Sequence, residues 1–259
     1  MNKRKGHWAY RLLVLIFVPA ILGIIVNRID RKTETSQFWT LVNRFLYAFG
    51  DSQIYSDLMQ TIWRFALGFA IALVCAVVVG VLMGRFKRIE NALIDTVRLL
   101  RPIPTAAIIP LAMLVISGIG NPLRIFIIAY GVFWPLLIHI YQDSKDIKQT
   151  LIDTGRTLGK TRVQIFCGIE LRTILPAIMT SSRIGLAIGL LLGVTSEMLV
   201  TGDPSGIGYR ILDYERSFKY PEMLAAIMML AAFGWAIDWA FKWIERKSIP
   251  WYKERHESF

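Results

Sequence analysis

The sequence predicts an all-α membrane protein of about six transmembrane helices. Three observations carry this. Of the 259 residues, 54% are hydrophobic, and the mean hydropathy is +0.47, above the roughly 45–50% apolar content of an ordinary soluble domain. The apolar residues gather in runs of about 20, the length a helix needs to cross a bilayer core. Basic residues are distributed unevenly: seventeen Lys and Arg fall in segments predicted inside and eight in segments predicted outside, which orients the chain with both ends in the cytoplasm. The net charge of +11 is accounted for by those inside loops rather than by nucleic acid. One transmembrane domain is expected over 1–259: 1–56 as a first span plus an outer segment, 57–243 as the core and 244–259 as a cytoplasmic tail.

In order, Lys3, Arg4 and Lys5 precede an apolar run over 8–26. It is too long for a signal sequence and lacks a small-x-small cleavage site, so it reads as an uncleaved span. A polar stretch with an amphipathic piece at 38–49 follows. The second span starts near Ser56 and Asp57, read as an N-cap, and ends near Gly84. Arg85, Lys87 and Arg88 form an inside loop. The third span is irregular: an amphipathic helix over 89–100, then Arg101-Pro102-Ile103-Pro104, then an apolar part over 105–117 containing Pro110. Proline removes a helix donor and clashes with the preceding turn. Such breaks are tolerated in membranes where protein packs around them or a cavity is lined. The fourth span covers 123–141, with Pro135 inside. The fifth covers 177–200 and is rich in small residues that let helices approach closely. An outer loop with Gly206 and Gly208 leads to a sixth span over 223–243. Cys75 and Cys167 are too differently placed to pair, and His7, His139 and His256 show no metal-ligand spacing.

Charges inside spans cost a few kcal/mol each on insertion scales and need a reason. Arg64 lies about two turns into the second span, Arg101 at the bend of the third, Arg183 early in the fifth and Glu197 near its outer end. They are candidates for lining a polar translocation pathway. The alternative is that they snorkel or lock helices together. Asp238 reads as a helix–helix contact. Trp134, Trp235, Trp239 and Trp243 read as interfacial belt residues.

Between the fourth and fifth spans lies a polar island, 141–176. Lys145, Lys148, Arg156, Lys160, Arg162 and Arg172 make it basic and assign it to the cytoplasm. It is longer than a turn between two spans requires. Gly155 and Gly159, each costing a helix about 1 kcal/mol relative to Ala, sit four apart as if on one face open to a close approach. Leu158, Val163 and Phe166 are apolar where no lipid covers them. An amphipathic helix in that position asks for a groove on a partner.

The island resembles the cytoplasmic loop of permease subunits of bacterial ATP-binding-cassette (ABC) importers, the EAA motif. That pattern runs Glu-Ala-Ala, three residues, Gly, nine residues, Ile-x-Leu-Pro. Asp153-Thr154-Gly155 takes the first place, Gly159 the second, and Ile169-Glu170-Leu171-Arg172 the third. A further Ile174-Leu175-Pro176 is similar to the branch importing sulfonates, taurine, nitrate and bicarbonate. Thr61-Ile62-Trp63-Arg64 with Gly68-Phe69, Arg101-Pro102-Ile103-Pro104 with Ile109-Pro110-Leu111, Ser182 to Ala187, Ser196-Glu197-Met198 and Gly206-Ile207-Gly208-Tyr209 also fit. Two departures stand out. Thr154 and Gly155 replace alanines, and Arg172 stands where the pattern has Pro, removing a helix stop.

The resemblance implies a type I ABC importer permease fold in the bacterial inner membrane. It implies a coupling helix, Asp153, Thr154, Gly155, Leu158, Gly159, Val163 and Phe166, received by two ATPase subunits. A second permease copy, as a homodimer, would complete the pathway. An extracytoplasmic binding protein would deliver a small nutrient, with Gly206, Gly208 and Tyr209 as its contact candidates; Arg64, Arg98, Arg101 and Arg183 are compatible with an anion, organic or inorganic, while the branch also includes permeases for uncharged or aromatic nutrients. No phosphate-binding loop is present, so no cofactor is expected in this chain, and ATP and Mg belong to the partners. A stand-alone secondary transporter or channel would also suit broken spans and buried charges, without needing the island. No paired carboxylates, His cluster or Ser-His-Asp order supports an enzyme.

Overall fold

The computed structural model describes residues 43, 52–116, 120–200 and 203–249. The first span expected over 8–26, nearly all of the amphipathic piece and most of the tail lie outside the described residues. Among the described residues nine α-helices follow one another: α1 (Ser52–Arg85), α2 (Lys87–Leu100), α3 (Thr105–Val115), α4 (Asn121–Lys145), α5 (Gln149–Thr157), α6 (Arg162–Ile165), α7 (Leu171–Leu199), α8 (Ile207–Arg216) and α9 (Tyr220–Ser248). Among the described residues four helical stretches are long and apolar enough to cross a bilayer: α1, α4, α6 through α7, and α9. The pair α2 and α3, bent by 102°, makes a fifth.

The bend falls where the sequence puts Pro102 and Pro104. Pro104 immediately precedes α3, and Pro110 lies inside that helix. Two further boundaries differ from the sequence reading. The second span begins at Ser52, so Asp57 is inside α1 rather than capping it. The fifth span does not begin at 177. A π-turn over Phe166–Glu170 joins α6 to α7, and helix runs from Arg162 to Leu199. With Arg172 in the proline position, the backbone N–H needed to continue the helix is retained.

Packing of α1 on α4 is set by small residues. Gly68, Ala72, Ala76, Gly80 and Gly84 recur every fourth residue, one face of a helix. A Cβ on Gly68 would stand 2.9 Å from Ile128 Cβ, and one on Gly80 would stand 3.0 Å from Ile140 Cγ2; Gly84 faces Ser144. The constant offset makes α1 and α4 parallel. On the other side of α4, Gly185 and Gly189 approach Val132 while Gly193 approaches Ile128, so α7 runs antiparallel. The core between these helices holds Ala72, Ala76, Ile128, Val132, Leu136 and Ile140, each at most 2% exposed. Between lipid-facing helices the hydrophobic effect contributes little, and close van der Waals contact through such stripes is what holds them.

The bundle has two polar ends. At one, the island end, Arg85 at the last turn of α1 pairs with Glu170, and Lys145 of α4 pairs with Glu90 of α2. At the far end, Asp57, Arg64, Arg124 and Glu197 are buried together. At about 1.5 Å per residue, the 34 residues of α1 extend about 51 Å, well beyond a hydrocarbon core of about 30 Å. The same helix therefore carries Arg85 at one end and Arg64 and Asp57 toward the other.

The stripe makes a direct prediction. Gly68→Val overpacks the α1–α4 contact and costs about 1–3 kcal/mol, read as a lowered thermal unfolding midpoint in detergent. Val74→Ile, on an exposed position of α1 (62%), leaves the midpoint unchanged.

Candidate functional site

At the far end, the Glu197 carboxylate is 1% exposed and accepts from three donors. Arg64 Nη1 donates to Oε1 at 2.9 Å. The Thr61 hydroxyl lies 2.9 Å from each oxygen. The Gly208 N–H donates to Oε2 at 3.0 Å. The first turn of α8 thus points its N–H groups at buried acceptors, since Ile207 N–H also donates to Thr61 Oγ1 at 3.0 Å and Gly206 N–H to Asp57 Oδ1 at 3.3 Å. Free N–H groups and the helix dipole make a helix N-terminus favourable for a carboxylate.

Two arginines extend the cluster. Arg64 is 2% exposed and Arg124 0%. Arg64 donates to Asn121 Oδ1 (2.6 Å), Gln60 Oε1 (2.9 Å) and Ser205 Oγ (2.6 Å). Arg124 donates to the Asp203 carbonyl (2.7 Å) and the Ser205 carbonyl (3.1 Å). Both reach Asp203 Oδ2, at 3.3 and 3.0 Å. Asp57 closes the network on Arg210, at 2.6 Å. Burial works against the Arg210 charge, but the hydrogen bond and charge of Asp57, together with nearby Tyr214 and Asp213, hold its pKa above the ordinary value. Three arginines thus face three carboxylates. A buried charge is tolerable only with such pairing and hydrogen bonding.

This arrangement is a clasp. It fastens the segment 203–210 onto α1, α4 and α7. Gly206 has φ +102°, and a Cβ there would collide with the Glu197 carboxylate; a Cβ on Gly208 would collide with the Val194 carbonyl. Gly206 and Gly208 are therefore buried beneath the segment's own fold, not presented as a contact surface, and Tyr209 is half-buried. Among the pathway candidates, Arg64 and Glu197 come together, 2.9 Å apart. Arg183 stands elsewhere, 43% exposed, pairing with Glu245 of α9 at 2.5 Å and lying 3.9 Å from Asp238. Arg101 is exposed at the α2–α3 bend. Sequence reasoning missed Arg124, Asp203 and Arg210 as members of this cluster. Arg124 carried a signal: it lies in the apolar run of α4, two residues after Pro122 at the helix start.

At the island end, α5 closes with Leu158 as its C-cap. Gly159, at φ +72°, takes the left-handed position that favours glycine. Gly159 N–H bonds the Arg156 carbonyl at 2.9 Å and Lys160 N–H the Gly155 carbonyl at 3.1 Å, the paired bonds of a Schellman stop. Thr161 then caps α6 in a reciprocal box with Gln164. The turn leaves Leu158 70% and Val163 71% exposed, with Asp153, Thr154 and Gly159 also exposed. Gly155 and Gly159 do not share an open face. Gly155 is buried against Ile165 and Ile169, 2.8 Å from a built Cβ to Ile169 Cδ1, while Gly159 has nothing near it. Phe166 is half-buried beneath the Arg85 guanidinium, 5.1 Å from its ring centroid. Among the described residues no group of three or more His, Cys, Asp or Glu could hold a metal ion.

Removing either partner of the buried pair strands a charge. Glu197→Ala or Arg64→Ala each costs about 3–5 kcal/mol. In a thermal unfolding series, the double variant Arg64→Ala/Glu197→Ala loses less than the sum of the two single losses, with a coupling of about 0.5–3 kcal/mol; strict additivity would show that the two do not act as a pair.

Comparison with known proteins gives this geometry a setting. The family described as "binding-protein-dependent transport system inner membrane component" matches residues 72–249. A putative ABC transporter permease protein of Methanocaldococcus jannaschii is 31% identical, covering 98% of each chain. The putative aliphatic sulfonates transport permease protein of Bacillus subtilis is 29% identical over 97% of this chain and 92% of its own. The taurine transport system permease protein of Escherichia coli is 27% identical over 80% and 74%. Among solved structures, the inward-facing MetNI methionine ABC transporter is similar in fold, with a TM-score of 0.59, 20% identity and coverage of 83% of this chain and 99% of that one. The chain belongs to the family of inner-membrane components of binding-protein-dependent transport systems, and it is a multi-pass permease subunit.

Proposed function

We propose that this chain forms the transmembrane pathway of an ATP-driven importer whose nucleotide hydrolysis takes place on separate ATPase subunits. Two copies enclose the pathway, two ATPases dock on the island end from the cytoplasm, and an extracytoplasmic binding protein delivers a small anionic nutrient at the far end. The observation that carries this reading is the α5–α6 turn. It holds two large apolar side chains, Leu158 and Val163, about 70% exposed at the island end and beside Arg156, Lys160 and Arg162. A rigid apolar edge at a doubly capped turn is what a groove on a partner would take. The basic surroundings favour a cytoplasmic location. The anionic substrate class is supported by the aliphatic sulfonates named for one relative, and the taurine named for another carries the same sulfonate group. The Arg64 network offers no separate support for it, because its arginines are already matched by this chain's own carboxylates.

The test is co-purification with the ATPases. Leu158→Asp puts a charge at the centre of the docking edge. Loss of a central anchor costs about 2 kcal/mol or more, an approximately thirty-fold weaker association, while the permease itself stays folded in the membrane. Undiminished ATPase association by Leu158→Asp would refute docking at this edge, and uptake by the chain reconstituted without ATPases would favour a stand-alone transporter.

A further inference from the structure

The π-turn between the island and the fifth span has two working faces, each built from residues four apart. Ile165 and Ile169 face α5, where Gly155 is buried against both. The absence of a Cβ there brings the α5 backbone directly against the Ile169 side chain. Phe166 and Glu170 face α1. Arg85 pairs with the Glu170 carboxylate and covers the Phe166 ring at 5.1 Å. Glu170 is 5% exposed, and a carboxylate so buried is costly without its partner. The turn itself closes by the Leu171 N–H reaching back to the Phe166 carbonyl, and single π-turns inside helices are frequent at functional sites.

We infer that Arg85 and Glu170 are positioning residues that form the joint through which movement of the docking helix α5 reaches α1. This inference rests on the docking reading above. Its physical basis is that α5 touches the turn through apolar contact, while the turn grips α1 through a buried charge. The joint's other arm is long: α1 continues from Arg85 to Arg64, which at about 1.5 Å per residue lies about 32 Å away in the clasp with Glu197. Since α7 carries Glu170 immediately before its start and Glu197 near its finish, α1 and α7 are tied by an ion pair at each end. A shift of the turn is thereby delivered to the far end along two helices rather than dissipated in the loop.

The experiment uses the complete complex of permease and ATPases in proteoliposomes. Cys75 and Cys167 are replaced by Ala, and Tyr55→Cys, at the far end of α1 and 55% exposed, serves as the probe. The maleimide labelling rate at this probe is compared without nucleotide and after trapping with Mg-ATP and orthovanadate. In the parent complex, trapping changes the rate by about five-fold or more. In Arg85→Gln and in Glu170→Gln the ATPases still co-purify and hydrolyse ATP, but the nucleotide-dependent change is lost. The charge swap Arg85→Glu/Glu170→Arg restores at least half of it, which a merely stabilising pair would not require. Retention of the full response in either single variant, or no recovery in the swap, overturns the joint while leaving docking intact. A parent complex that fails to co-purify with ATPases removes the docking reading and the joint with it.

Discussion

The fold turns on one buried carboxylate. Glu197 is placed near the finish of a long apolar helix and is almost wholly shielded, where an unpaired charge is prohibitive. It is held by a guanidinium from α1, a hydroxyl from α1 and a backbone N–H from α8. Those three donors come from two elements far apart in the chain, α1 and α8. Satisfying this one group therefore fixes α1 against α7 and seats the α8 segment over both. Arg64 in turn needs acceptors of its own, and it takes them from Asn121, Gln60 and Ser205, so the requirement propagates until the charges balance.

Steric fit supplies the rest. The small-residue stripe on α1 and the glycines of α7 let these two helices approach α4 and one another closely. Such contact is most effective where lipid supplies no hydrophobic drive between helices. Electrostatics at the two ends and close packing between them divide the work. The ends fix register and partners, and the middle supplies attraction. The outward faces of the spans, with Leu114 84%, Leu191 67% and Trp235 62% exposed, are apolar because lipid or another membrane helix lies against them.

Much of this was legible in the chain. The spans follow from hydropathy, and the bent third span from Pro102 and Pro104, because both signals act within a few residues. The island's departure at Arg172 also read correctly as the loss of a helix stop. What escaped were contacts that no local window contains. Asp57 looks like an N-cap when only its neighbours are visible, yet its partner Arg210 is 153 residues away. Arg124 looks like a loop cation until Asp203 and Ser205 are folded onto it. The spacing of Gly155 and Gly159 suggested one face. In fact one glycine packs inside against the π-turn and the other ends the helix at a positive φ, and spacing alone does not distinguish those uses.

The central claim is that the clasp and the exposed docking edge lie on opposite sides of the membrane. Single cysteines in a chain lacking Cys75 and Cys167 test it with a membrane-impermeant maleimide. Val163→Cys reports the docking edge and Phe218→Cys, 76% exposed just beyond α8, reports the clasp side. In intact cells Phe218→Cys is labelled and Val163→Cys is protected, and in inside-out vesicles the pattern reverses. Labelling of both from the same side would contradict the account.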